Sequence, residues 1–319
     1  MASASLVRYK ADYYTIATVL FYAFYLPASW ILFPQVGWLG KLALVASHCV
    51  YQFVVVCIIH NTIHVPIFRK MNWNRAFQLY LSAIHGNPVS GFVPGHNLSH
   101  HKHIQSAKDA TRTTRARFAW NFLNQFLFLF LVLPDIMRSE KRFVNRMKDV
   151  KPLWSAQYKI EAVLLFFLKV GLLVLDWQRA ILLVIIPNIY ALWGIFGANY
   201  WQHDGCDEHH PYNHSRSFTG LTFNFLTFNN GYHGIHHMYM GVHWSLYPEH
   251  HERLLKPFIH PSLDQKSLIA YLFKTCIYPA KRMNYDGTEL VLPPKTKTED
   301  WVSEVSMDPE AKVALGAIQ

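Results

Sequence analysis

Charge is scarce in this sequence. Asp, Glu, Lys and Arg make up 16% of its 319 residues, against about 25% in an ordinary globular domain, which argues against a conventional water-soluble protein. Cysteine is also rare. The four present, Cys49, Cys57, Cys206 and Cys276, form no CxxC pair, so neither a disulfide framework nor a thiolate metal site is indicated. There is no Gly-rich dinucleotide fingerprint, no His-Pro-Gly-Gly haem motif and no nucleic-acid-binding motif. The N-terminus lacks a cleavable-signal pattern, because a Tyr-rich polar stretch leads straight into a long apolar run.

What is present is apolar and arrives in blocks. Hydrophobic residues make up 51%, with 22 Phe, 17 Tyr and 10 Trp. "YYTIATVLFYAFYLPASWILF" (13–33) and "LALVASHCVYQFVVVCII" (42–59) are each long enough to cross a bilayer. "IEAVLLFFLKVGLLVLD" (160–176) and "AILLVIIPNIYALWGIFGANYW" (180–201) make a second pair. Short connections, "PQVGWLG" and "DWQ", predict two helical hairpins. A fifth block, "FAWNFLNQFLFLFLVL" (118–133), is apolar but carries Asn121, Asn124 and Gln125.

The basic residues orient these blocks. Arg8 and Lys10 precede the first span; Arg69, Lys70, Arg75, Lys102, Lys108, Arg112, Arg115 and Arg117 follow the second; Arg138, Lys141, Arg142, Arg146, Lys148 and Lys151 precede the third. The hairpin tips carry almost none, so the positive-inside rule puts the basic segments in the cytoplasm. A full crossing by block 118–133 would place the basic run after it outside. That block is therefore expected to be interfacial or re-entrant, the alternative being a fifth span with shifted topology. The net charge of +10 suits an anionic inner leaflet and does not call for nucleic acid. The expected fold is all-α: an integral membrane protein with four transmembrane helices in two hairpins, an interfacial helix and a cytoplasmic histidine-rich cap. Residues 1–284 are expected to form the membrane-embedded domain, and 285–319, with "PPKTKTED", a solvated cytoplasmic tail.

Nineteen histidines are concentrated in four places. "HNTIH" holds His60 and His64, "HNLSHHKH" holds His96, His100, His101 and His103, "NYWQH" holds His203, and "HGIHH" holds His233, His236 and His237. The topology, drawn without these residues, places all four clusters on one side of the bilayer. Residues four apart on a helix share a face and residues three apart nearly do. His60 and His64 can then grip one ion, and the trio at 233–237 can aim inward together. His96 aligns with His100 while His101 points well round the helix, a shape suited to touching two ions. Without His103 the clusters supply nine imidazoles. One ion rarely takes more than six ligands, so nine imply two sites. Imidazole serves zinc, copper, iron and nickel alike. A closed structural zinc site takes four ligands and would leave five histidines over. His48, His85, His209, His210, His214, His243, His250, His251 and His260 fall outside the pattern.

Three histidine boxes after two membrane hairpins resemble the integral-membrane fatty acid desaturase and alkane hydroxylase superfamily, over roughly residues 12–260. The resemblance implies two iron ions on the cytoplasmic face and dioxygen as co-substrate. It carries the first box onto His60 and His64, the second onto His96, His100 and His101, and the third onto His233, His236 and His237. "NYWQH" is similar to a further element of the superfamily and implies His203 as a ligand and Asn199 as partner of a metal-bound water. No catalytic residue beyond the metal ligands is implied. Asp109 and Asp204 are the candidate carboxylates for orienting imidazoles.

The implied activity is O2-dependent oxidation of an aliphatic, acyl-type chain, with desaturation favoured because "NNGYHGIHHMYMGVHWSLYP" looks closer to desaturases. Hydroxylation of alkane, fatty acid or carotenoid type is the alternative, and "NYWQHDG" has something of that branch. A membrane zinc hydrolase would need three ligands and an open position. A metal transporter would need ionisable groups within the spans, where His48 and Lys169 are the clear cases. Each turnover needs two electrons, and the chain has no evident carrier. A separate donor of ferredoxin, rubredoxin or cytochrome type, with its reductase, is expected on the basic face.

Overall fold

The computed structural model describes residues 5–278 and 281–307. It is mostly helical, with one short parallel pairing of β1 (Ser217–Phe218) on β2 (Asp264–Gln265). The described chain separates into two compact units: unit 1 holds residues 5–93 and 144–192, and unit 2 holds 94–143 and 193–307.

Unit 1 begins with α1 (Asp12–Leu32) and α2 (Trp38–His64), joined through a tight turn at Phe33–Gln35. At 1.5 Å per residue, the 27 residues of α2 extend about 40 Å, enough to cross a hydrocarbon core of about 30 Å. α3 (Met71–His85) follows. A second hairpin starts at α6 (Pro152–Ala180), after α4 (His101–His103) and α5 (Asn121–Val150). A π-helical turn, Ile181–Ile185, then leads into α7 (Ile186–His203), which passes from unit 1 into unit 2. Helical geometry fails at Asp176, where φ is −163° and ψ 100°. Its Oδ1 accepts the Arg179 N–H at 2.9 Å, the signature of a helix N-cap, and its Oδ2 accepts from Arg179 Nε at 2.7 Å. Arg179 also donates to the Trp30 carbonyl at 2.9 Å. The connection expected at "DWQ" is therefore a capped break between two helices.

Among the described residues, four helical stretches are long and apolar enough to span a membrane: Asp12–Gln35, Trp38–His64, Asn121–Val150 and Pro152–His203. The count agrees with the sequence reading, but the allocation differs. The third and fourth expected spans form the single run Pro152–His203, broken at Asp176. Block 118–133, expected to be interfacial, belongs to the 30-residue α5, which meets the span criterion in its own right. The apolar block stops at Pro134 in the sequence, but the helix runs through that proline. Apolar side chains such as Phe24 (73% exposed) and Val174 (82%) line the outside of these stretches. Such a surface suits lipid and would be a liability in water.

Buried polar groups tie unit 1 together. Glu161 on α6 is fully buried. Its Oε1 accepts from Gln78 Nε2 at 2.9 Å, Ser90 Oγ at 3.0 Å and Gln157 Nε2 at 2.9 Å, and its Oε2 from the Ser90 N–H at 2.9 Å. In unit 2 the polar residues of block 118–133 work as caps and clamps. Asn124 bonds both backbone groups of Phe118, at 2.7 and 2.9 Å, and Asn121 accepts from the Tyr200 hydroxyl at 2.6 Å. Around them pack Phe128, Val132, Trp201, Phe218 and Tyr271.

The segment from 285 onward was expected to be solvated. The described part of it lies against unit 2. Arg112 donates to the Thr296 carbonyl at 2.9 Å, Thr298 to Asp135 Oδ2 at 2.7 Å, and Trp301 is buried beside Phe143. Trp301, Val302 and Val305, beyond the polar "PPKTKTED", supply the apolar anchor that composition obscures. Residues 308–319 of the expected tail lie outside the described residues.

Candidate metal centre

In unit 1, the last two turns of α2 carry His60 and His64, four residues apart on one face. Their rings lie 5.3 Å apart and their ligand nitrogens within 4.8 Å of each other.

In unit 2 seven histidines sort into two groups. His100, His203, His233 and His237 form one, and His96, His101 and His236 belong to another; within each, the ligand atoms lie within 4.8 Å of one another. The sorting depends on helix winding. Val93–His100 is a π-helix, whose i→i+5 bonding brings residues five apart onto one face. His96 therefore meets His101, Nε2 to Nε2 at 3.0 Å, and His100 turns to the other group. An ordinary α-helix would have paired His96 with His100, as the sequence reading expected. The expectation that this trio serves two groups holds, with the members exchanged. α8 (His233–Met238) divides likewise. His233 and His237, one α-turn apart, meet at 3.0 Å, while His236 reaches His101 at 2.9 Å.

The orientation of the rings tests whether a cation fits. His203, His233 and His237 bring three Nε2 atoms together at 2.9, 3.0 and 3.2 Å. Hydrogen bonds on the far side decide which nitrogen carries the proton. His203 Nδ1 lies 3.2 Å from the His214 carbonyl, and His100 Nδ1 lies 3.0 Å from Asp109 Oδ2. Both acceptors require Nδ1–H, which leaves Nε2 a bare lone pair. The buried His100 Nε2 has no partner. His236 Nδ1 bonds the Tyr247 hydroxyl at 2.8 Å. The His100 and His203 Nε2 lone pairs thus lie in a buried group made of imidazole nitrogens alone, a donor set that fits a metal ion.

The sequence model of the family described as "Fatty acid desaturase" matches residues 36–264, well over half of the chain. The chain belongs to the fatty acid desaturase family. A comparison with curated proteins finds no match. The family is one of membrane oxidoreductases of desaturase and hydroxylase type, known for iron-dependent catalysis, and the two histidine groups and four apolar stretches of this desaturase-family chain accord with it.

The surroundings of the groups refine the expectations for this family member. Asp109 is completely buried and does orient an imidazole. Burial opposes its ionisation, but the neighbouring His100 imidazole and hydrogen bonds from His100 and Thr111 outweigh that and hold its pKa at about 2. Asp204 does not orient an imidazole. Its carboxylate pairs with the buried guanidinium of Arg282, a position that no local pattern links to it. Asn199 donates to the Thr111 carbonyl at 3.0 Å, and Thr111 Oγ1 lies 3.2 Å from His100 Nδ1. Removal of the His237 ring from water, reinforced by the neighbouring imidazoles, drives its pKa well below the usual value. The ring is thus neutral, as a ligand must be. Tyr247, Thr111 and the His214 carbonyl escaped sequence reasoning. Each lies about ten residues from its histidine, outside any helical spacing, and no local pattern marks it.

Proposed function

We propose that this protein introduces a double bond into an aliphatic, acyl-type chain, using dioxygen and two electrons from an external donor at two histidine-bound irons. The iron ligands are His60 and His64 of unit 1 and His96, His100, His101, His203, His233, His236 and His237 of unit 2, with Asn199 available to a bound water. When bound, the irons supply the oxidising power that removes hydrogen from an unactivated C–H bond.

The observation that carries this reading is the convergence of the His203, His233 and His237 Nε2 atoms on one point, with the His203 and His100 Nε2 lone pairs left free by hydrogen bonds at Nδ1. Imidazole nitrogens suit iron among other metals, and the iron-dependent catalysis of the family favours iron here. The protein's own part is to hold protons in place. His100 keeps its Nδ1 proton toward Asp109 and His203 toward the His214 carbonyl, which fixes both tautomers for metal binding.

Basic residues near the span ends support an active site on the cytoplasmic face, where an acidic ferredoxin, rubredoxin or cytochrome, served by its reductase, can dock. The test is expression in a host with a ferredoxin system, beside a His233→Ala, His236→Ala variant, with mass spectrometry of the lipids. A product lighter by two hydrogens, absent from the variant, is expected. A product heavier by one oxygen would move the assignment to hydroxylation. No product, together with purified protein that holds zinc and no iron, would refute the oxidative reading.

A further inference from the structure

A second set of polar groups lies in unit 1 and takes no part in the histidine groups. α3 ends at His85, and Gly86 follows in the left-handed region at φ 78°. A side chain at Gly86 would collide with the Asn188 amide and stand 3.4 Å from Lys169 Cε. Asn188 and Lys169 therefore converge on the end of α3, from α7 and α6. The Lys169 charge also acts on the His85 ring. His85 is fully buried and Asn188 is 3% exposed. Neither nitrogen of His85, and neither polar atom of the Asn188 amide, has a hydrogen-bond partner. No carboxylate among the described residues balances Lys169. Glu161, eight residues earlier on α6 and so about 12 Å away along the axis, has both oxygens engaged elsewhere.

The place is deep within the apolar stretch. Gln52, near the middle of α2, donates to the carbonyl of Ile84 at 2.7 Å, which fixes the end of α3 beside the centre of a 27-residue helix. A cation and several open donors at such depth are costly unless they serve a ligand. The open groups comprise the half-buried Lys169 ammonium, the His85 ring with one N–H and one bare nitrogen, and the Asn188 amide with its NH2 and oxygen, so donors outnumber acceptors and the one charge is positive. Their complement is a group with one negative charge and several acceptor lone pairs, which a carboxylate provides.

We propose that Lys169, His85 and Asn188 form a carboxylate subsite that anchors the head of the aliphatic substrate within unit 1. The identification of the occupant as substrate rests on the oxidase reading above. His60 and His64 lie eight and twelve residues beyond Gln52 on α2, about 12 and 18 Å at 1.5 Å per residue. An extended chain advances roughly 1.2 Å per bond, as an extended backbone does, so the anchored acid presents roughly its tenth to fifteenth carbons at the level of those rings.

The experiment is a titration of the full-length protein in lipid nanodiscs with [1-13C]palmitate and, separately, with methyl palmitate, which is equally apolar but uncharged. Palmitate is expected to bind at least tenfold more tightly. Lys169→Met should bring the two ligands to within about twofold of each other, and Lys169→Arg should keep most of the preference. Equal affinities in the wild-type protein overturn the subsite without recourse to any variant. A preference undiminished in a folded Lys169→Met protein overturns it as well, by placing the anion elsewhere. Binding does not require turnover. Tight palmitate binding without any oxidised product would leave the subsite standing and sink the oxidase reading, and oxidation without head-group preference would do the reverse.

Discussion

Asp109→Asn is the most informative change at the metal centre, because the carboxylate is surrounded entirely by donors. Oδ2 accepts from His100 Nδ1 and the Gln105 N–H, both at 3.0 Å; Oδ1 accepts from the Thr111 N–H and hydroxyl, both at 2.7 Å. Asparagine keeps one oxygen and substitutes an NH2 for the other. If the NH2 replaces Oδ2, it faces two N–H groups. His100 relieves the clash by moving its proton to Nε2, the nitrogen needed by the ion. If the NH2 replaces Oδ1, it faces both donors of Thr111. Hydrogen bonds to a buried charged group are worth about 1.5–3 kcal/mol each, so the substitution should cost roughly 2–4 kcal/mol of fold stability. Loss of a ligand-orienting partner typically lowers metal affinity by about 10–100-fold. Chelator competition followed by iron analysis measures this directly. The iron of the His100 group should leave at about one to two decades lower chelator concentration than in the wild type, while the other iron stays. Retention of both irons with affinities within about twofold would refute the assignment of Asp109 as the group that sets the His100 tautomer.

Other perturbations separate the parts of the centre. His237→Ala removes a ligand from the four-histidine group alone, and metal analysis should show a fall from about two irons per chain toward one. Tyr247→Phe removes the hydroxyl on His236 Nδ1, worth about 0.5–1.5 kcal/mol; chelator titration should show a several-fold loss at the other iron only. Arg282→Met strands the buried Asp204 carboxylate, and thermal unfolding should report about 3–5 kcal/mol of destabilisation. The folded Asp109 pKa of about 2 lies below the ordinary value of about 3.9. Its stabilisation is therefore fully present above about pH 4 and is lost as pH falls toward 2. In metal-stripped protein, acid unfolding of the wild type should steepen across that window relative to Asp109→Asn.

Much of this architecture was legible in the sequence because its signals are local. Apolar runs of membrane length, the Asp-Trp-Gln break and four histidine clusters each declare themselves within a few residues. Asp109 could be guessed from its closeness to the second box. What could not be read depends on distance or on winding. The length of α5 was hidden because Pro134 and the basic run after it look like an end, although the helix passes through. Asp204 stands next to His203 yet belongs to Arg282, 78 residues later. The docking of Trp301 follows a stretch whose composition signals solvent. Most instructive is the pairing of His96 with His101, which no periodicity of 3.6 would suggest.

That winding makes residue count itself a determinant of ligation. Between Val93 and His100 the backbone bonds i→i+5 where an α-helix bonds i→i+4, and that extra residue swings His101 toward His236 while releasing His100 toward His203. Deleting Asn97, Leu98 or Ser99 would leave every imidazole in the chain, and the composition almost unchanged, yet would rotate the downstream histidines by roughly 100°. Two ions would then compete for one misaligned set. A lineage could lose the centre by a three-base deletion that spares all nine imidazoles. A search for intact members should therefore measure the interval between boxes as strictly as the boxes themselves.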